Sequence, residues 1–276
     1  MLNQEIFAFF GVLNIMITNC KRIVVKIGTS TLTYPNGSLN FRRIEALVRT
    51  LSDFKNAGHE IVVVSSGAVS AGFARLALTE YPDTLEKKQA CAAVGQSQLM
   101  KIYENFFSNY GHAVAQILMT KDVVDDSHRL ELVKNTFNAL IDMRCVPIVN
   151  ENDSVSCDGI RFGGNDTLSA YVGIACDANL IINMSDINGL YNKDPRKFDD
   201  AVLIDRVEKI TDEVLACAGG AGTKRGTGGM ATKIEAAKIA TDNGIPMLII
   251  NGENPYILYD ILDGKHIGTY FAANKE

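Results

Sequence analysis

The chain has 276 residues, 47% hydrophobic and 21% charged, and 27 basic against 32 acidic side chains leave a net charge of −5. Those proportions exclude a disordered chain, a collagen and a coiled coil, and no run of about 18 apolar residues marks a membrane-spanning helix. The acidic balance, with no basic stripe, argues for a cytoplasmic protein without a nucleic-acid or membrane partner. A local basic site for a phosphorylated small molecule is compatible with it.

Ile6 to Ile17 form a short apolar run. It lacks the basic flank and small-residue cleavage site of a signal peptide, and it is too short to cross a bilayer. Residues 1–21 therefore read as an N-terminal extension. Three origins stay open: an extra packed segment, a cryptic export signal, or translated upstream sequence ahead of a start at Met16. The last fits best, because the first clear strand begins only at Arg22.

From there strands and helices alternate. Arg22 to Ile27 is a β-branched run that ends in Gly28-Thr29-Ser30. Asn40 caps a helix whose Phe41, Ile44, Leu47, Val48, Leu51 and Phe54 share one face, and Gly58 stops it. His59 to Val64 is a second strand, ending in Ser65-Ser66-Gly67. Helices are expected over about 67–77 and 85–108, a third strand over His112 to Leu118, and a helix over about 126–143. Val146 to Val149 is a fourth strand ending in Asn150-Glu151-Asn152-Asp153. Residues 154–163 read as a hairpin or excursion, and Asn165-Asp166 opens another helix. Asn179 to Met184 is a fifth strand ending in Ser185-Asp186. Strands separated by helices imply a doubly wound parallel sheet, here in one domain with two lobes. Such sheets bind ligands beyond the carboxyl ends of their strands, where four of these strands carry polar clusters.

Six cysteines at 20, 91, 145, 157, 176 and 217 show neither C-x-x-C pairs nor zinc spacing. Cys91, Cys145 and Cys176 read as reduced core residues.

Two features point to phosphate. Gly219, Gly220, Gly222, Gly226, Gly228 and Gly229 fall within eleven residues, just ahead of a helical stretch containing Lys233. Glycines let consecutive backbone N–H groups face an anion, and a helix N-terminus adds a positive field. The alternative is a merely flexible loop. Neither a P-loop nor a dinucleotide-binding fingerprint is present. Lys26 interrupts an apolar strand, and lysine is rarely buried without a partner. It either snorkels at a strand end or directs its charge at phosphate beside Gly28-Thr29-Ser30.

Several segments together resemble the amino-acid kinase family, and within it the branch that phosphorylates glutamate. They are Val24 to Ser30, Ser65 to Ala68, Ala93-Val94-Gly95-Gln96, Asn150 to Asp153, Asn165 to Ser169, Gly189-Leu190-Tyr191 with Asp194-Pro195-Arg196, and Gly226 to Lys233. They follow the family's order over about residues 22–271. The resemblance implies a three-layer αβα sandwich around a mainly parallel sheet, with a glutamate-binding lobe over about 22–175 and an ATP-binding lobe over about 176–276. It implies ATP-dependent phosphorylation of the γ-carboxylate of L-glutamate, the first step of proline synthesis. Lys26 and Lys233 would contact the transferring phosphoryl group, and Asp166 would hold the two lysines. Ser66, Gly67, Asp153 and Asn165 would bind glutamate. Lys26, Gly28, Ser185, Asp186, Thr227, Gly228, Gly229, Met230, Ala231, Thr232 and Lys233 would line the ATP site. Mg2+ would ride on the ATP phosphates without a dedicated set of protein ligands.

Proline as feedback inhibitor, glutamyl-phosphate reductase downstream and a homo-oligomer are implied in the same way. Two positions depart from the family pattern. Gly164 stands where an aspartate is usual, and Ser185 stands where threonine is common. After Gly268 to Phe271 there is no room for the RNA-modification-type (PUA) domain that many members carry. Acetylglutamate, aspartate, carbamate and nucleoside monophosphate kinases share the fold and lysines, but Asn150-Glu151-Asn152-Asp153 argues against them. A catalytically weak amino-acid sensor, suggested by Gly164, is the alternative from another class.

Overall fold

The computed structural model describes residues 20–155, 164–217 and 229–274. The N-terminal run, nearly all of the excursion at 154–163 and the glycine loop as far as Gly228 lie outside them. The described part alternates as expected at first: β1 (Arg22–Ile27), α1 (Thr29–Leu32), α2 (Phe41–Asn56), β2 (Glu60–Ser65), α3 (Ala68–Arg75), α4 (Leu85–Ser108) and β3 (Val114–Met119). Then come α5 (Lys121–Asp125), α6 (Ser127–Asp142), β4 (Val146–Glu151), α7 (Asn165–Ala175) and β5 (Leu180–Ser185). The remainder is β6 (Arg206–Val207), α8 (Asp212–Cys217), α9 (Met230–Asp242), β7 (Met247–Asn251), α10 (Ile257–Leu262) and β8 (Thr269–Phe271).

Local chemistry sets the boundaries. Asn40 Oδ1 accepts the Arg43 N–H at the start of α2. At its end the Gly58 N–H donates to Lys55 O and the His59 N–H to Phe54 O, the paired bonds of a Schellman stop. The Phe54 and His59 rings lie 5.7 Å apart over that turn. Asp126 Oδ1 accepts from the His128 and Arg129 N–H groups to cap α6. The third strand starts two residues later than the sequence pattern suggests, because Gly111 and His112 still close the end of α4 through bonds to Ser108 O and Phe107 O.

The eight strands among these residues form one sheet in the order β3-β4-β2-β1-β5-β7-β8-β6. All neighbours are parallel except β7 and β8. The chain leaves β1 toward β2 and returns to β1's other side as β5, so the order reverses at the centre of the sheet. That is where a doubly wound sheet opens a crevice.

Both faces are covered. Ile23, Val25 and Ile27 of β1 pack with Leu47 and Phe54 of α2, Leu99 and Tyr103 of α4, and Leu258 of α10. Val24 points the other way, onto a cluster with Phe137 of α6, Leu168 and Val172 of α7, and Ile234 and Ala237 of α9. The result is the expected αβα sandwich. Cys91 and Cys176 are buried as expected. Cys145 is not: it is only partly buried, because it sits on the turn between α6 and β4 rather than in either core.

Candidate active site

Strand alternation decides the direction of Lys26. Side chains along β1 alternate faces, so Lys26 follows Val24 onto the side covered by α7 and α9. It is 5% exposed, so it does not snorkel. Its Nζ meets Asp166 Oδ1 at 2.5 Å, and Lys233 Nζ, from α9, meets Asp166 Oδ2 at 3.0 Å. Asn183 Nδ2 donates to Oδ1 and Thr232 Oγ1 to Oδ2, each at 3.0 Å. Four donors therefore fill the carboxylate, close to its capacity. Asp166 also lies in the first turn of α7, where the helix field favours negative charge.

The charge states follow. Burial alone would push the Asp166 carboxyl up, but the ammonium groups of Lys26 and Lys233 outweigh it and hold the group well below the usual carboxylate range. Burial pulls Lys26 below the ordinary lysine value, opposed by Asp166 and reinforced by Lys233. Two buried ammonium groups thus share one buried carboxylate, an arrangement suited to receiving an anion.

The structure brings the other expected residues to the same edge. The Asn165 amide donates to Ser65 O at 3.0 Å, Ser66 Oγ at 2.9 Å and Asn150 Oδ1 at 3.0 Å, tying the ends of β2 and β4 to the start of α7. Gly67 precedes α3, and Gly28 lies between Lys26 and Ser30. Ser185 Oγ donates to Asp186 Oδ1 at the end of β5, where Ser185 is buried and Asp186 exposed. Gly229 precedes α9, with Met230, Ala231 and Thr232 in its first turn; Thr227 and Gly228 fall outside the described residues. Next to this centre Ala68, Ala92, Gln96, Leu118 and Glu151 to Ser154 line a small cleft that opens to solvent, so Asp153 is part of its wall.

Sequence reasoning missed Asn183, Gln96 and Glu151 as site residues. Asn183 carries the same signal as Lys26, a polar residue within an apolar strand, and is its register partner across β1 and β5. Gln96 stands in place because of Gly95. A Cβ at Gly95 would lie 1.8 Å from Ala68 O, and one at Gly72 would lie 1.8 Å from Cys91 O. The two helices therefore touch backbone to backbone at the cleft wall. Gly95→Ala is expected to destabilise the fold by about 2–3 kcal/mol in urea titrations, as overpacking does; unchanged stability would show that α3 and α4 separate freely.

Gly164 has φ +117° and ψ 174°, a region open essentially to glycine alone. An aspartate at this position would shift the backbone or carry strain on the order of 1–3 kcal/mol.

Among the described residues no helix is long and apolar enough to cross a membrane, and no group of three or more His, Cys, Asp or Glu is arranged to hold a metal ion.

Residues 21–251 match the model of the amino acid kinase family, and the chain belongs to that family. Two relatives narrow the branch. The chain is 54% identical to the glutamate 5-kinase of Clostridium perfringens (strain 13 / Type A), over 92% of this chain and 96% of that protein. It is 56% identical to the glutamate 5-kinase of Clostridium tetani (strain Massachusetts / E88), again over 92% and 96%. Its place within the family is therefore the glutamate 5-kinase branch. In fold it resembles the carbamate kinase of Giardia lamblia bound to AMP-PNP, with a TM-score of 0.66 over 93% of this chain and 100% of that one, at 13% identity.

Proposed function

We propose that the protein uses ATP to phosphorylate the γ-carboxylate of L-glutamate, giving L-glutamyl 5-phosphate for proline biosynthesis. The observation that carries this reading is the buried Lys26–Asp166–Lys233 centre at the switch of the sheet, next to a cleft with two acidic walls, Glu151 and Asp153. The names of the relatives supply the acceptor.

The chemistry needs no general base. A free glutamate side chain has a pKa of about 4.3, so the attacking carboxylate is already ionised at neutral pH. Two anions must instead be aligned and the charge on the moving phosphoryl group neutralised. Lys26 and Lys233 do this together, and Asp166 keeps both ammonium groups in place without moving a proton. Mg2+ held by the ATP phosphates would add further positive charge to offset that of the transferring group. The lobe up to about residue 175 holds glutamate: Asp153 takes the ammonium group, and Ser66, Gly67 and Asn165 face the carboxylates. The lobe from about 176 holds ATP through Gly28 on its border, Ser185, Asp186 and Thr227 to Lys233. The acyl phosphate product requires a reducing enzyme downstream, glutamyl-phosphate reductase. Feedback inhibition by proline and a homo-oligomeric assembly belong to the same reading.

The test is glutamate-dependent ADP release with hydroxylamine present to trap the acyl phosphate. Absence of the hydroxamate would sink the proposal. Asp153→Ala is expected to raise the KM for glutamate by about tenfold or more with a smaller effect on kcat, as loss of a ground-state contact does. A fall in kcat at unchanged KM would reassign that residue.

A further inference from the structure

The amide network beside the cleft has one fixed sense, and it ends in a donor without an acceptor among the described residues. The Glu151 N–H can only donate, and it gives its proton to Asn150 Oδ1 at 2.9 Å. Ser65 O can only accept, and it takes a bond from Asn165 Nδ2 at 3.0 Å. The same nitrogen lies 3.0 Å from Asn150 Oδ1. Both backbone groups therefore orient Asn150 the same way, with its Nδ2 toward Gln96, and that nitrogen donates to Gln96 Oε1 at 2.9 Å. A reversed Gln96 would set two NH2 groups against each other. Its Nε2 is consequently the atom left over. Gln96 is nine-tenths buried and lines the cleft, and its Nε2 has no hydrogen-bond partner among the described residues. A buried donor without an acceptor is costly and calls for one.

We propose that Gln96 is a specificity-determining residue whose Nε2 donates to the α-carboxylate of the acceptor amino acid. The inference rests on the glutamate kinase reading and deepens it. The acceptor's reacting carboxylate belongs with Lys26 and Lys233, neither of which lines this cleft. The carboxylates that do, Glu151 and Asp153, suit the ammonium group. What is left for a neutral donor in the same cleft is the second carboxylate, on the same carbon as the ammonium. Gly95 and the α3–α4 contact hold Gln96 at that depth, and Asn150 fixes the face it presents.

The test is a swap of hydrogen-bond sense. Gln96→Glu keeps the length and the acceptor for Asn150 but turns the free donor into an acceptor. Gln96→Leu removes the polar atoms altogether. Glutamate and its α-amide, isoglutamine, are compared as substrates or as competing inhibitors, with KM for ATP and thermal unfolding as controls. Gln96→Glu is expected to raise the KM for glutamate by about 10–100-fold, the usual loss for a hydrogen bond to a charged group. It should also shift the preference between the two acceptors toward isoglutamine by at least that factor, because the amide N–H can donate to Glu at this position. Gln96→Leu should weaken glutamate without gaining isoglutamine. Equal losses for both acceptors in Gln96→Glu, or an unchanged KM for glutamate, would overturn the assignment. If the unaltered protein lacks glutamate kinase activity, the functional reading fails instead; calorimetric binding of glutamate to the same variants then still decides the Gln96 contact.

Discussion

Asp166→Asn is expected to lower turnover by at least about 1,000-fold and to destabilise the fold by about 3–5 kcal/mol at pH 7, the range for removing one partner of a buried ion pair. The carboxylate accepts from Lys26, Lys233, Asn183 and Thr232. An amide keeps one acceptor oxygen, offers an NH2 to donors, and leaves two ammonium groups without their counter-charge. Both effects have the same origin, since the unbalanced lysines repel each other in the resting protein and lose their spacing for catalysis. The pH dependence follows from the depressed carboxyl. A carboxyl whose folded pKa lies below its unfolded value of about 3.9 contributes stability that is complete above that value and fades as pH falls through the folded one. The stability gap between the parent protein and Asp166→Asn should therefore be full at pH 7 and begin to narrow only below about pH 4. Urea titrations across that range measure it. A variant as stable as its parent at pH 7 would mean that the three charges are not coupled.

Lys26→Ala and Lys233→Ala are each expected to reduce kcat by at least about 100-fold at saturating glutamate and ATP. That is the loss of a single preorganised charge worth about 3 kcal/mol in the transition state. These variants differ from Asp166→Asn in stability. Each leaves Asp166 with one lysine, a neutral pair that needs no further balance, so folding should survive better than catalysis. Steady-state kinetics beside circular-dichroism melting separates the two effects. Turnover within a few-fold of the parent in either variant would remove that lysine from the reaction.

Lys26 was legible because a charge within an apolar strand is physically anomalous, whereas Asp166 read only as the start of a helix and owed its expected role to the family resemblance. Asn183 was equally anomalous, but a neutral amide draws less notice than a charge. The partners of these residues were not legible. Which face of β1 carries Lys26 follows from alternation, but which helix covers that face depends on the crossover connections. Gln96 sat in a recognisable segment, and its vacant donor emerged only from the hydrogen-bond sense of Asn150. Gly95 reads in sequence as a weak helix residue, and only the position of Ala68 shows why no methyl fits there. Beyond Ser185 the strands differ in how well their sequences mark them. The apolar run of β7 has the same signature as β5, whereas β6 and β8, with two and three residues, are too short to show a period. The reversal of β8 against β7 is a property of the path through α10 rather than of either strand.

The burial of Lys26 in the middle of β1 also constrains the order of assembly. Arg22 to Ile27 can pair with β2 early, since the two strands are close in sequence and their apolar residues match in register. The face that carries Lys26 cannot be sealed at that stage, because a dry ammonium without a counter-ion would cost several kcal/mol. It has to stay wet until α7 delivers Asp166 from far along the chain. Lys233 completes the balance only when α9 docks. The buried Lys26–Asp166–Lys233 centre thus couples the closing of one side of the sheet to the docking of two helices distant in the chain.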